Sequence, residues 1–477
     1  MNKICVLCED PEYRKFLSEL LTIFYLVTNI EFVQNPEQPT DADFLQVYKT
    51  NGLTEVVYTR DGEVKTYSFN DQDIVKNRTK TVKRILFRFL NEIWQSELPW
   101  GFLTGVRPVK MAVNMLLQGF TPEEAQKSLE NDFLIAPEKA KLLTDLANKE
   151  LTLTGRVPTV TDTVSLYISI PFCPDRCAYC SFTSYVYSKN ENMVSEYVDC
   201  LVKELEYIKE VVKGKGQGIQ TVYIGGGTPG VLPPMLTDKL LGAVDDLCTD
   251  ETIEITFEAG RPEVFNDEKQ KIVKNHRVTR ICINPQSMDD RILKNIGRNH
   301  TVEDILRCFD LAVKNGFDNI NTDIIVGLPG ETVESFSKNL EALLDLNPQS
   351  VTVHTLAMKK KAGLIQNHNA QDIVNNKDVD EMIRMTERKL FNQGFEPYYL
   401  YRQKMTVGNR ENVGYCKKGF ECIYNIQMIG ERQTIYGAGA GATGRFVSED
   451  LLITRKTNKK LVDQYIKDIR DGNFGYG

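Results

Sequence analysis

Between residues 161 and 395 the chain repeats one pattern six times: a short, nearly continuous apolar run, then a longer amphipathic segment. The runs are VSLYISIPF (164–172), QTVYIGGG (220–227), TIEITFE (252–258), VTRICIN (278–284), NINTDIIVG (319–327) and VTVHTLAM (351–358). Helical periodicity follows over Asn192–Val212, Pro234–Leu247, a short stretch after Pro262, Val302–Asn315, Val333–Leu346 and Val379–Gln393. Short apolar strands alternating with helices predict βαβ units and a parallel sheet buried on both faces. Six units in one direction predict an α/β fold built on a partial (β/α)6 barrel of the TIM type, with an open doubly wound sheet as the second choice. A barrel places its chemistry at the carboxyl ends of the strands, so the motifs there carry the most weight.

The flanks read differently. Residues 1–160 form an α+β accessory domain. KICVLC (3–8) is a strand, and Pro11–Val27 is a helix. Leu45–Tyr58 and Glu63–Phe69 are expected to be hairpin strands around Arg60-Asp61-Gly62, because Asp-Gly suits a tight hairpin turn. Helices are expected over Val75–Trp94, Val106–Gln118, Pro122–Glu130 and Pro137–Glu150, and the loop with Arg107 reads as a helix-entry turn. Residues 396–477 are expected to be an extension that closes the active site, with a strand at Tyr398–Tyr401 and a Gly-Ala-rich stretch at 435–444.

Composition narrows the function classes. Hydrophobic residues at 42% and charged residues at 26% exclude a globally disordered chain. Lysine and arginine total 58 against 65 aspartates and glutamates, a net charge of −7 with no basic block, which argues against nucleic acid as a partner. The longest apolar run, Leu20–Val27, has eight residues, too few for a membrane span. The N-terminus turns acidic by Glu9, unlike a secretory signal, and a cytoplasmic location is the expectation. Eight of the eleven cysteines are scattered, so they make no disulfide framework. Cys5 and Cys8 are spaced to fall on opposite faces of a strand, which opposes a redox pair. Cys416 and Cys422 read as isolated thiols.

The other three, Cys173, Cys177 and Cys180, lie within eight residues, directly after the first barrel strand. A structural zinc site wants a fourth Cys or His close by, and the nearest histidine is His276. An iron–sulfur cubane on three thiolates leaves one iron without a protein ligand, free to bind a small molecule.

This CxxxCxxC motif after the first strand of a βα repeat resembles that of the radical S-adenosylmethionine (SAM) superfamily. The resemblance implies a [4Fe–4S] cluster on Cys173, Cys177 and Cys180, with SAM chelating the fourth iron. It implies reductive cleavage of SAM to a 5′-deoxyadenosyl radical that abstracts hydrogen from substrate. It places Tyr179 near the adenine and Tyr167 near the SAM. Gly225-Gly226-Gly227-Thr228-Pro229 resembles the element that holds the SAM amino group. Glu258 stands where relatives have a carboxylate for SAM. Gln286 and Arg298 resemble the polar pair that fixes ribose and carboxylate, and Asp323 is the candidate for the ribose hydroxyls.

The order YISIPFC…CAYCSF, GGGTP, QS…IGRNH, NTDIIVGLPGET is similar to that of the oxygen-independent coproporphyrinogen III oxidase branch. LPWGFLTGVRP and the tail around RENVGYCKKGFECIYNI resemble a coproporphyrinogen dehydrogenase subgroup of it. The resemblance implies oxidative decarboxylation of two propionates of coproporphyrinogen III to vinyl groups, giving protoporphyrinogen IX. It also implies an electron donor such as flavodoxin or ferredoxin. Phe182 differs from the decarboxylases, which carry a further cysteine there, and matches haem-chaperone relatives, so haem is the alternative ligand. Another tetrapyrrole reaction, such as a haem-opening methyl transfer, is the third reading. A substrate with four carboxylates should meet arginines, lysines and aromatic walls. The candidates are Arg176, Lys359–Lys361, Arg402 and Arg410, each singly read as a surface charge. His354 reads as a satisfied core histidine rather than an axial haem ligand.

Overall fold

The computed structural model describes residues 3–25, 29–34, 42–71, 73–74, 77–156, 162–182, 184–357, 374–403, 406 and 410–475. The chain divides into two compact units, Met1–Asn148 with Arg402–Asn409, and Lys149–Tyr401 with Arg410–Gly477.

The first unit holds a five-stranded mixed sheet. Its strands are β1 (Lys3–Cys8), β2 (Ile30–Val33), β3 (Ala42–Thr50), β4 (Leu53–Arg60) and β5 (Glu63–Asn70), in the order β2-β1-β3-β4-β5. β1 runs parallel to β2 and β3, and β3, β4 and β5 form an antiparallel meander. The Asp61-Gly62 turn is present, with φ of 48° and 84°. The expected strand Leu45–Tyr58 is in fact two. Asn51 and Gly52, with φ of 53° and 87°, turn the chain between β3 and β4. Asn-Gly is the strongest two-residue hairpin signal, and here it outweighs the β propensity around it. Helices α1 (Pro11–Phe24), α2 (Arg78–Trp94), α3 (Val109–Leu117), α4 (Pro122–Phe133) and α5 (Pro137–Thr154) follow the expected order. Asp10 caps α1 by accepting from the Glu12 and Tyr13 amides, and Thr121 and Glu124 form a capping box on α4. Cys8 packs in the main core with Ile4 and Val6, whereas Cys5 packs on the other face with Leu7 and Phe44.

The second unit carries the six expected strands: β6 (Thr163–Ile170), β9 (Gly218–Gly226), β10 (Glu254–Gly260), β11 (Arg280–Gln286), β12 (Ile320–Val326) and β13 (Ser350–Thr355). They are neighbours in that order, and every pairing is parallel. Between β6 and β9 a short parallel ladder joins β7 (Phe172–Cys173) to β8 (Tyr185–Val186). The connecting helices are α6 (Glu191–Gly214), α7 (Pro234–Leu247), α8 (Asp267–Asn275), α9 (Asp290–Asn295), α10 (Val302–Lys314), α11 (Val333–Asp345) and α12 (Asn376–Asn392). The tail adds strands to both edges of this sheet. β15 (Glu411–Cys416) runs antiparallel to β13 and is followed outward by β14 (Glu396–Arg402). At the other edge β16 (Ile435–Ala438) pairs in parallel with β6, and β17 (Thr443–Val447) and β18 (Ile453–Thr457) complete eleven strands. Glu204 of α6 ties the tail down. Its buried carboxylate accepts from the Gly439 amide, Asn458 Nδ2 and Tyr465 OH, each at 2.7 Å.

The six parallel strands are buried, but their two faces differ in chemistry. Leu166, Ile168, Val222, Ile224, Ile255, Phe257, Ile281 and Ile283 alternate along the strands with Tyr167, Tyr223, Glu258, Cys282 and Asn284. Register pairs Tyr167 with Tyr223, Glu258 with Cys282, and Asp323 with Thr352, so one face of the sheet carries a polar and aromatic band. Arg280, 1% exposed at the start of β11, gathers the amino ends of the strands. It donates to Ser350 Oγ (2.7 Å), the Phe420 carbonyl (2.9 Å), Asn321 Oδ1 (3.2 Å) and Tyr398 OH (3.4 Å).

Candidate active site

The cysteines, the GGGTP element, Glu258 and Gln286 collect at or just beyond the carboxyl ends of β6, β9, β10 and β11, where a barrel places its chemistry, while Tyr167 and Asp323 lie mid-strand in β6 and β12. Cys173 closes β7, and Cys177 and Cys180 follow on the next loop, all three reduced and partly buried. The loop is pinned at several points. The Cys180 amide donates to the Cys177 carbonyl (3.2 Å), and the Ala178 amide to the Ile296 carbonyl (2.9 Å). Thr228 Oγ1 lies 3.5 Å from Cys173 Sγ, and the Thr228 amide donates to the Phe172 carbonyl at 2.7 Å. Burial pushes the Cys173 and Cys180 thiols up, so a cationic partner is needed to hold them as thiolates.

The three glycines at the end of β9, Gly225, Gly226 and Gly227, each answer a close approach. A Cβ on Gly227 would fall 2.9 Å from Cys173 Sγ and 2.5 Å from the Phe172 carbonyl oxygen. A Cβ on Gly225 would fall 2.6 Å from Glu258 Oε2, and Gly226 adopts φ of 116°. Thus GGGTP binds the cluster loop on one side and Glu258 on the other.

Glu258 accepts from Asn284 Nδ2 at 3.2 Å. Desolvation, reinforced by the Asp323 charge, pushes its carboxyl up to about 8. Asp323 accepts from Asn321 Nδ2 (2.9 Å) and lies 3.5 Å from His354 Nε2, while His354 Nδ1 lies 3.2 Å from Tyr401 OH. Both ring nitrogens of His354 are therefore engaged. Gln286 sits at φ of 72°, a left-handed conformation that costs energy in a non-glycine residue, and its buried Oε1 has no hydrogen-bond partner. Asn284 Oδ1 is likewise buried without a partner. These two orphaned buried acceptors, one on the residue that contacts Glu258 and one two residues further along β11, are what a polar ligand with donor groups would satisfy.

Arg298 is 7% exposed, and its guanidinium is already occupied. It donates to the Asn284 carbonyl and, from Nη2, to Tyr179 OH at 3.0 Å, so it fastens the cluster loop to β11. Tyr167 stacks with Tyr223 and with Tyr424 of the tail helix α13 (Ile423–Gly430), both at 6.4 Å, and Tyr223 lies 4.8 Å from Tyr424.

The candidates for substrate carboxylates separate. Arg176 is exposed beside the cysteines, and Phe182 next to them is 68% exposed. Arg410 is 6% exposed and holds Asp380 in a two-point ion pair. Arg402 is 3% exposed, stacks over Trp100 (5.0 Å) and donates to the Leu103 carbonyl, so neither is a solvated surface charge. Lys359–Lys361 lie outside the described residues. Residues that sequence reasoning missed include Asn284, Tyr223, Tyr424 and Glu331. Glu331 accepts from Asn339 Nδ2 (2.9 Å), which also contacts Ser287 Oγ (3.3 Å) beside Gln286. Tyr223 and Asn284 fall on the polar face of strands whose alternation was legible.

Comparison with known proteins agrees with this geometry. The family model described as "Radical SAM superfamily" matches residues 167–343. The chain is 35% identical to the oxygen-independent coproporphyrinogen-III oxidase-like protein HemZ of Bacillus subtilis (strain 168), over 96% of this chain and 93% of that protein. The chain belongs to the radical SAM superfamily. It is also 30% identical to the heme chaperone HemW of the same organism, over 65% of this chain and 77% of that one. Among solved structures it is similar to coproporphyrinogen III oxidase (HemN) from Escherichia coli, with a TM-score of 0.55 and 19% identity over 70% of this chain and 73% of that one. That likeness concerns the fold.

As in other radical SAM proteins, the cofactors are a [4Fe–4S] cluster and SAM. The residues fit them. Three thiols stand on one short loop, a glycine cradle abuts Cys173, and unpaired acceptors line the adjoining strand ends. Among the described residues no three Cys, His, Asp or Glu are grouped to hold a single metal ion. A cubane takes its thiolates on three different irons and spreads them more widely. No helix among the described residues is long and apolar enough to cross a membrane.

Proposed function

We propose that the chain is an oxygen-independent coproporphyrinogen III dehydrogenase, which oxidatively decarboxylates two propionates to vinyl groups and yields protoporphyrinogen IX. The observation that carries this reading is the extent of the HemZ likeness. It runs through both units and the tail, whereas the HemW likeness covers 65% of the chain.

When bound, the reduced cluster and SAM supply a 5′-deoxyadenosyl radical that removes a hydrogen atom from a propionate β-carbon. The chain's residues prepare that event. Cys173, Cys177 and Cys180 hold the cluster, and Thr228 and Gly227 fix the first of them. Glu258, with Asn284 behind it, would meet the cationic amino end of SAM, and Gln286 and Asp323 would be available to its ribose. The Tyr167–Tyr223–Tyr424 stack would offer the substrate an aromatic wall on the sheet face that carries Glu258. For each propionate, one hydrogen atom passes to the deoxyadenosyl group, one CO2 leaves and one electron passes to an acceptor, and Arg176, exposed between Cys173 and Cys177, is a cation available to a remaining carboxylate.

A second reading, a haem chaperone, is favoured by Phe182. The test is anaerobic incubation of reconstituted protein with SAM, a reductant and coproporphyrinogen III. Vinyl product with stoichiometric 5′-deoxyadenosine is expected. Tight haem binding without SAM cleavage would establish the chaperone, and a methylated, ring-opened tetrapyrrole from haem would establish a third chemistry.

A further inference from the structure

The cluster loop is gripped by a set of buried charges that its sequence motif does not contain. Arg261, just after β10, is 2% exposed. Its Nη2 reaches the cluster loop at Asp175, 3.4 Å from Oδ2 and 3.5 Å from the carbonyl oxygen. Asn299, in the loop before α10, donates to the same Asp175 Oδ2 at 2.6 Å. Arg261 Nε lies 3.4 Å from Glu263 Oε1, and Glu263 Oε2 lies 3.1 Å from Nδ1 of the buried His300. Arg261 Nη1 is buried with no hydrogen-bond partner.

The end of β10 and the loop before α10 thus converge on one residue of the loop between Cys173 and Cys177. A guanidinium taken out of water is costly unless its fork is well used, and here one nitrogen is left over. With the Asp175 side chain 41% exposed, the ion pair itself contributes little to stability; what it does is fix the loop between Cys173 and Cys177 against a buried, permanent charge. An iron–sulfur cluster becomes more negative when reduced, so a permanent cation beside it favours the reduced form.

We propose that Arg261 is a positioning residue for the iron–sulfur cluster: it anchors the ligand loop through Asp175 and sets a permanent positive charge at the loop between Cys173 and Cys177. It therefore governs how firmly the cluster is held and how readily it takes an electron. This rests on the cluster itself but not on which tetrapyrrole reaction follows.

The experiment uses full-length protein reconstituted anaerobically, with Arg261→Gln, Arg261→Lys, Asp175→Ala and the Arg261→Gln/Asp175→Ala pair. Four quantities are read: iron and sulfide per chain, the rate of iron loss to a chelator, the midpoint potential of the cluster, and the melting temperature of the metal-free protein. Groups that orient metal ligands typically change affinity by about 10–100-fold, so Arg261→Gln should lose iron about tenfold faster or more. Its potential should fall. Arg261→Lys, which keeps the charge but not the fork, should restore the potential while still losing iron quickly. Asp175→Ala should also lose iron quickly, but with its potential moved the opposite way. The double variant should lose iron no faster than Arg261→Gln, because the two residues act as one contact. The Asp175 side chain is 41% exposed, so its variant folds even where Arg261→Gln does not. A lower melting temperature with unchanged chelator rate and potential in the folded protein would overturn the proposal. So would equal potentials in Arg261→Gln and Arg261→Lys. A wild-type chain that takes up no cluster would instead defeat the cofactor assignment.

Discussion

Gly227 and Glu258 show how far single residues commit this site. A methyl group on Gly227 has nowhere to go, since it would meet Cys173 Sγ at 2.9 Å. Gly227→Ala should therefore displace Cys173 and cut reconstituted iron to less than half, with the far-ultraviolet spectrum retained; full iron loading would contradict this account of the glycine. Glu258 predicts a pH effect. Its carboxyl titrates near 8 rather than 4.5, so between those values the ligand-free folded chain keeps a proton that the unfolded chain has lost. The group consequently weakens the fold as pH rises through that window, and Glu258→Gln should remove this slope. On the proposed reading the cationic amino group of SAM binds beside it, which favours the ionised form. Calorimetry at pH 7 in two buffers of different ionisation enthalpy should show proton release, absent in Glu258→Gln; identical heats in both buffers would rule it out. The three cysteines and the GGGTP glycines could be singled out because they crowd together along the chain, and Tyr167 only through the family resemblance. Arg261, Asn284 and Asn299 were not, because they act through neighbours distant in sequence, such as the 2.6 Å contact from Asn299 to Asp175. Arg402 and Arg410 looked like surface charges for the same reason: Trp100 and Asp380, which bury them, are set only by the fold.

At the scale of elements, the six parallel strands could be read directly, since each apolar run is bounded by helix signals. Their inner face was harder to see. Tyr167, Glu258 and Asp323 interrupt the runs singly, and only the register shows them sharing a face. The split of Leu45–Tyr58 at Asn51-Gly52 was available from the turn dipeptide but was masked by strand formers on both sides. The opposite end of the sheet from the chemistry makes its own prediction. Arg280 satisfies buried acceptors on β12, β13 and β14, so Arg280→Met leaves several unpaired. At about 1–3 kcal/mol for each orphaned group, the loss should be on the order of 3 kcal/mol or more in denaturant unfolding. Iron content of the folded fraction should stay unchanged; a loss below about 1 kcal/mol would show that these bonds are replaced by water.

For the whole molecule, the tail matters more than a terminal extension suggests. It supplies both edges of the eleven-stranded sheet and places Tyr424 against Tyr167 and Tyr223. Tyr424→Ala should therefore impair SAM cleavage coupled to product more than it impairs cluster content, read as excess 5′-deoxyadenosine per vinyl group. Equal yields from variant and parent would place the stack outside the reaction space. Every part of this account depends on Cys173, Cys177 and Cys180 acting together. The most direct test is iron and sulfide analysis with electron paramagnetic resonance of anaerobic, dithionite-reduced protein, with and without SAM, beside Cys177→Ala. The account predicts a full [4Fe–4S] complement per chain, a signal that changes when SAM is added, and loss of both in the variant. Zinc in place of iron, or a signal indifferent to SAM and to Cys177→Ala, would contradict it.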